Sequence, residues 1–332
     1  MDLKNLDKIL AGEAKYRQKQ INNLLFKDLI SDWQEASVLP LALRETLNQE
    51  CPLNIEGKIF SSKSSYTTKA LLTLVDSSQT ETVLLKHSDG RRTVCVSCQV
   101  GCPMGCKFCA TGQLGLKRNL TAWEIVEQIL FWARKLKVKG EKITNIVYMG
   151  MGEPFMNYEN VLNSVRLLND ADKFGLGARH ISISTCGLVE GINKLSNENL
   201  QVNLAVSLHA PTNELRSEIM PINKKYPLDK VLAAVKKYVQ KTSRRVMFEY
   251  VLLKGVNDSI KHAEDLAKIM AKPLYMVNII SYNPTGKFKA SDKNKVEDFI
   301  NVLKSRGVAV TQRYTFGTDI WAACGQLANK AK

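Results

Sequence analysis

Cys102-Pro-Met-Gly-Cys106-Lys-Phe-Cys109 is the stretch on which the reading of this chain turns. Three thiols at Cys-x3-Cys-x2-Cys spacing can hold three corners of a 4Fe–4S cube and leave its fourth iron open, whereas four cysteines would close the cube into an electron carrier. An open iron can be chelated by a substrate. Two other readings compete. Cys95 and Cys98 lie just upstream, so Cys95-x2-Cys98 with Cys106-x2-Cys109 also reads as a zinc site. A disulfide scaffold is the third, although 332 residues can bury a sizeable core without staples. Spacing favours the cluster and leaves the other two open.

Composition narrows the setting. A hydrophobic content of 45% with 24% charged residues is that of a soluble globular protein. The opening Met1-Asp-Leu-Lys-Asn-Leu-Asp-Lys8 has no apolar centre and so does not read as a secretory signal. No run is long and apolar enough to span a bilayer. The expected compartment is the reducing cytoplasm, where thiols serve metals or catalysis more than structural bridges. Lys and Arg outnumber Asp and Glu by 47 to 32, a net +15. Such an excess suits a polyanion, because neutralising phosphates releases counterions. The charge gathers at Arg134–Lys139, Lys224–Lys225, Lys236–Arg245 and Lys287–Lys295. Nucleic acid is the expected partner, although any one cluster is equally a solvated face and charge alone leaves a membrane surface open.

Residues 1–58 read as a small N-terminal helical accessory domain. Leu6, Ile9 and Leu10, then Ile21, Leu24, Leu25 and Leu29, recur there at helical spacing. Residues 59–92 read as a β-rich connecting segment, with strands around 70–75 and 82–87 separated by Ser77-Ser-Gln-Thr80 and closed by Ser88-Asp-Gly90. From 93 to 315 strands alternate with helices. The strands fall at 93–97, 145–149, 180–184, 202–208, 246–253, 275–281 and 308–314. Helices are expected after the capping box Thr121-Ala-Trp-Glu124, at 158–168, near 190, and at 228–240, 259–270 and 292–305. Such alternation implies parallel strands linked by helices. The units are too few for a closed eight-stranded barrel, so the expected α/β fold is a partial (β/α)6, TIM-like barrel, followed by a tail at 316–332. The cysteine loop, Met149-Gly-Met-Gly-Glu-Pro154, Ser184-Thr-Cys-Gly187, Ser207-Leu-His209 and Asn283-Pro284 each follow an expected strand, and such strand ends share one face of a barrel.

With these motifs in place the chain resembles the RlmN/Cfr family of radical S-adenosylmethionine (SAM) adenine methyltransferases over nearly its whole length. The marks are Cys95-Val-Ser-Cys98-Gln-Val-Gly-Cys102, Gly150-Met-Gly-Glu-Pro154, Ser207-Leu-His-Ala210, Pro221-Ile-Asn-Lys-Lys225 and Asp319-Ile-Trp-Ala-Ala-Cys-Gly-Gln-Leu327. The resemblance implies a 4Fe–4S cluster on Cys102, Cys106 and Cys109, with SAM at its open iron. Gly152 and Glu153 are expected at the methionyl amino group, and Ser184, Ser207, Leu208, His209 and Asn283 at the rest of SAM. By spacing alone, Gly150-x-Gly152 is equally a plain turn, His209 a core histidine, and Ser184, Ser207 and Asn283 ordinary turn residues.

The same resemblance implies methylation of carbon 2 of adenine in 23S rRNA, at the peptidyl-transferase centre, and of the adenosine 3′ of the tRNA anticodon. Carbon 2 lies between two ring nitrogens and is too electron-poor to attack the SAM methyl group directly. Cys324 is expected to take a methyl group from one SAM. A second SAM, cleaved to a 5′-deoxyadenosyl radical, abstracts hydrogen from that S-methyl group, and the resulting carbon radical adds to the ring. Glu81 is the candidate acceptor of the ring proton. Cys95 then attacks the Cys324 sulfur and releases the RNA, leaving a Cys95–Cys324 disulfide to be reduced.

Small neighbours at Ala322, Ala323, Gly325 and Gly317 suit a tail that bends into a site. Taken singly, Cys324 reads as a buried cysteine, Cys95 as strand packing and Glu81 as a solvated charge. The stretch from Glu81 to Cys95 is one residue longer than the family pattern and contains the turn-like Asp89-Gly90. Cys51, Cys98 and Cys186 read as structural. A flavodoxin or ferredoxin is the expected electron donor, and a monomer the expected state. Cfr-like methylation of carbon 8 is the alternative within the class, and a zinc-stabilised RNA-binding protein the alternative outside it.

Overall fold

The computed structural model describes residues 5–313 and 315–328; Tyr314 of the last expected strand, residues 1–4 and residues 329–332 of the tail lie outside them. One sheet of ten strands runs through the molecule. Its antiparallel side holds β1 (Gly57–Ser61), β2 (Thr67–Thr73), β3 (Gln79–Lys86) and β4 (Arg92–Cys95). A two-stranded hairpin, β5 (Gln99–Cys102) and β6 (Gly115–Asn119), stands apart from it. From β4 onward the sheet is parallel, through β7 (Asn145–Tyr148), β8 (Ile181–Thr185), β9 (Asn203–Ser207), β10 (Val246–Leu252), β11 (Tyr275–Ser281) and β12 (Val310–Arg313). Every strand neighbours its predecessor in this sheet, and β1 and β12 form its two edges.

The helices are α1 (Leu6–Ala11), α2 (Lys15–Asn23), α3 (Leu41–Glu50), α4 (Ala122–Lys137), α5 (Tyr158–Asn169), α6 (Val189–Leu195), α7 (Asn213–Ile219), α8 (Leu228–Thr242), α9 (Ile260–Met270) and α10 (Lys293–Ser305). Six strand–helix units therefore lead into β12, the partial (β/α)6 barrel that the alternation predicts. The parallel strands are apolar because both faces are covered: Leu204, Ala205 and Val206 of β9 and Phe248 and Tyr250 of β10 are fully buried.

Two features aim the barrel at its site. Helix α4 opens with the expected capping box, Thr121 Oγ1 accepting from Glu124 N and the Glu124 carboxylate from Thr121 N. Four turns are long enough to return to the sheet, where the Gln128 carboxamide accepts from Ser97 N and donates to Ser97 O, both at 2.8 Å. That clamp fixes the chain between β4 and the cysteine loop. Helices α1–α3 share the main core and lie against α4, through Phe26 stacked 6.3 Å from Trp123 and Arg134 Nη1 donating to Leu53 O at 2.9 Å.

The second feature is the antiparallel side. β1–β3 continue the barrel's own sheet, and Lys69, Val83 and Cys95 form one row across β2, β3 and β4. Glu81, two residues before Val83, shares their face because side chains alternate along a strand. The β3–β4 pairing is regular from Val83↔Cys95 to Lys86↔Arg92, and Asp89 and Gly90 lie in the turn at 87–91, closed by His87 N donating to Arg91 O.

Candidate active site

Cys102 ends β5, and Cys106 and Cys109 follow in the hairpin loop; all three line one cavity at the C-terminal face of the barrel. The hairpin closes tightly because Gly101, at φ +82°, lies where a Cβ would come 2.0 Å from the Gly115 carbonyl oxygen. Arg118 on β6 pairs with both Asp76 and Glu124 at 2.8 Å, binding the hairpin to the β2–β3 turn and to α4. Burial pushes the Cys102 thiol up to about 12 and raises Cys109 too, so these groups stay protonated until a metal displaces the protons. Cys186, read as structural from sequence, also lines the cavity, beside Cys106. Soft sulfur donors on one loop at the barrel mouth fit an iron–sulfur cluster. The zinc set is parted: Cys106 and Cys109 face the cavity, while Cys95 packs with Val83, Met151, Ile320 and Ala322.

The loop after β7 is locked to the segment before β5. Gly150 N donates to Val96 O, Met151 N to Ser97 Oγ and Glu153 N to Gln99 Oε1, while Met151 O accepts from Cys98 N and Gln99 N. A Cβ on Gly150 would stand 2.7 Å from Val96 O, and one on Gly152, at φ +105°, 2.9 Å from Gln99 N. These glycines serve close backbone approach. The Glu153 carboxylate accepts from Phe155 N at 3.0 Å and Cys186 N at 2.7 Å, joining the ends of β7 and β8; burial raises its pKa, with those N–H groups opposing.

Ser184, Ser207 and His209 line the cavity from successive strand ends. Burial lowers His209 to about 3, so its ring is neutral. Nδ1 accepts from Val251 N at 3.0 Å, which places the proton on Nε2. Leu208 is fully buried and acts through its backbone, its N–H donating to Glu249 O and its carbonyl accepting from Arg216 Nε. Arg216, which sequence reasoning missed, is a buried hub whose Nη2 also donates to Cys186 O and Ser207 O.

The tail lies across the cysteine loop. Ala110 N donates to Gly325 O at 2.7 Å, Thr111 Oγ1 to Leu327 O at 2.5 Å, and Asn283 Nδ2 to Cys324 O at 3.0 Å. Gly325 sits at φ +84° against the Phe108 carbonyl, where any other residue would be strained. Cys324 thereby reaches the cavity wall and lies beside Cys95, whose thiol is pushed up to about 12 by burial, with Cys324 adding and Arg313 opposing. Arg313, at the end of β12, and Glu249, inside β10, line the same cavity. Neither was anticipated, although a charged residue at a strand end and an acid inside Val246-Met-Phe-Glu249-Tyr-Val-Leu252 were both visible. Glu81 and Cys95 do not line the cavity, and Glu81 is fully buried against Lys69, Nζ to Oε1 2.8 Å.

A strand-ordered half barrel with a three-thiol loop at its mouth defines the class: the Radical SAM superfamily model matches residues 96–268. The crystal structure of a radical SAM methyltransferase from Sphaerobacter thermophilus superposes with a TM-score of 0.95 at 45% identity, covering 99% of this chain and 98% of that one. Curated relatives named "Probable dual-specificity RNA methyltransferase RlmN" include that of Dictyoglomus thermophilum, 45% identical over 95% of this chain and 91% of its own length. That of Enterococcus faecalis is 43% identical over 96% and 91%. The chain belongs to the RlmN family of radical SAM methyltransferases.

Proposed function

We propose that this protein methylates carbon 2 of adenine in 23S rRNA and in the tRNA anticodon loop, carrying the methyl group first on Cys324. The observation that supports this most directly is the adjacency of Cys324 and Cys95 beside the three-thiol cavity. When bound, the cluster and SAM supply the methyl group and the one-electron chemistry; Cys102, Cys106 and Cys109 hold the former. Gly152, Ser184, Ser207 and His209 line the space left for SAM, with His209 offering an Nε2–H donor.

The protein's own steps follow from its thiols and Glu81. Cys324 Sγ, on a loop held by Asn283 and by the cysteine loop, accepts a methyl group and later links through that carbon to the base. Glu81 accepts the proton leaving carbon 2. Cys95 Sγ, as a thiolate, then attacks Cys324 Sγ; the sulfur–carbon bond breaks, the freed carbon takes up a proton to become the methyl group, the adduct's unpaired electron leaves to a one-electron acceptor, and the disulfide formed needs two electrons for its reduction. An acidic flavodoxin or ferredoxin suits a chain of net +15 as the electron source, and the protein is taken to act as a monomer.

The test is nucleoside mass spectrometry of rRNA and tRNA treated anaerobically with reconstituted protein, reductant and methyl-deuterated SAM. Labelled 2-methyladenosine is the expected product. Labelled 8-methyladenosine would keep the chemistry and overturn the regiochemistry. No label from protein with an intact cluster would overturn the proposed RNA substrates.

A further inference from the structure

Among the ion pairs of the described residues, Lys69–Glu81 has both side chains wholly buried. The two charges sit on the antiparallel extension, outside the barrel proper. A buried ion pair is weak evidence for stability, because desolvation offsets its attraction. Its surroundings point instead to a task. Lys69 Nζ also donates to the Trp321 carbonyl at 3.4 Å and lies 5.4 Å from the centre of the Phe60 ring. Trp321 is three residues before Cys324 and holds a left-handed conformation, φ +54°, that a bulky side chain rarely adopts. The strand that carries Lys69 and the β1–β2 turn leading into it grip the same tail elsewhere. Ser62 Oγ and Lys63 N donate to the two oxygens of the Asp319 carboxylate at 2.8 and 2.9 Å, and Gly317 lies where a Cβ would be 2.6 Å from Thr67 Cγ2.

We infer that Lys69 is a positioning residue that fixes the place of the Glu81 side chain and ties it to the backbone of the segment bearing Cys324. The Lys69 ammonium, 2.8 Å from Glu81 Oε1, orients that side chain, and the bond to Trp321 O links its position to that of the tail. Lys69 therefore acts late, when the ring proton leaves and the RNA is released, and has no part in loading Cys324. This inference rests on Glu81 as the proton acceptor.

The test separates those two stages in Lys69→Met, Lys69→Arg and Glu81→Gln. Intact-protein mass spectrometry reads the fraction of Cys324 carrying a methyl group. Denaturing gels read the covalent adduct with a transcribed 23S rRNA fragment, and quenched time points its release. Lys69→Met is expected to carry methylated Cys324 at the wild-type level, to accumulate adduct and to release RNA roughly 100-fold more slowly, the scale of a lost general base. Lys69→Arg is expected to recover most of the release rate. Wild-type release by Lys69→Met, with Glu81→Gln blocked, overturns the inference alone. Wild-type release by Glu81→Gln overturns the reading of Glu81 and this inference with it. Should Lys69→Met fail to fold, Lys69→Gln, which keeps a donor for Trp321 and removes the charge, is read by the same outcomes.

Discussion

The carboxamide of Asn283 donates to the carbonyl oxygen of Cys324 at 3.0 Å, so a residue expected to hold SAM holds the C-terminal tail in this structure. The segment after β11 and the tail are thus joined at Cys324.

Asn283→Ala should free that tail. Loss of one hydrogen bond of about 1 kcal/mol corresponds to roughly fivefold faster amide exchange. Hydrogen-exchange mass spectrometry of the SAM-free protein should show this in 322–327 and leave α4 unchanged. Unaltered exchange would return Asn283 to a ligand-binding role only.

Gly150→Ala and Gly152→Ala force a Cβ onto the backbone before β5. Overpacking, with left-handed strain at Gly152, costs about 2–4 kcal/mol. Thermal denaturation should fall by several degrees in each, and SAM binding should be lost. Gly12→Ala, whose Cβ would find only Ile9 O at 3.7 Å, is the control and should melt near wild type.

His209 links stability to pH. The unfolded imidazole takes a proton near 6.5, while the buried ring resists until about 3. The unfolded state therefore binds more protons between those values, and stability falls as pH drops through that window and is flat above it. The contribution is about 2 kcal/mol between pH 6.5 and 5. Glu153 and Glu249, both raised by burial, act with the opposite sign above the normal carboxyl range, so the comparison must be with His209→Gln. Urea titrations at pH 7 and 5 should show a shallower loss in the variant.

Cys324→Ala should abolish methyl transfer to RNA. Cys95→Ala should instead trap the chain covalently on RNA, because the thiol beside Cys324 that would break the link is gone. Gel-shifted adduct under turnover conditions checks the second, and free product from Cys324→Ala would remove the two-thiol mechanism.

Cys102→Ala, Cys106→Ala and Cys109→Ala should each lose the brown colour and about four irons and sulfides of an anaerobically reconstituted protein. Cys186→Ala is the stringent control, since its thiol touches Cys106 and lines the same cavity. It should keep its iron.

The parallel half of the sheet was legible because runs rich in valine, aromatic and other apolar residues, such as Val246–Leu252, alternate with amphipathic helices such as α8. Edge strand β1 was not, since Lys58 and Ile59 face solvent and leave no apolar period. The hairpin around the cysteines was hidden for a different reason: its register shifts between Val100 and Gly101, and its outer strand is exposed. Helix α7, capped by Thr212, is only two turns long and offered little periodicity. Among the site residues, strand-end motifs located Ser184, Ser207 and His209. Lys69 could not be found that way, because its meaning depends on a partner on the next strand and a carbonyl 252 residues later. Arg216 likewise has an ordinary sequence neighbourhood and an extraordinary number of backbone partners.

Ser62 and Asp319, joined at 2.8 Å, are 257 residues apart. Closing so long a loop is entropically unfavourable until the intervening sheet exists, and contacts of this span form late. On a ribosome the partial barrel can assemble strand by strand in the order of synthesis, while Cys324 arrives near the end. The proposed role of Cys324 then implies an order of maturation: a product truncated before the tail keeps the cysteine loop and lacks the thiol proposed to take up the methyl group.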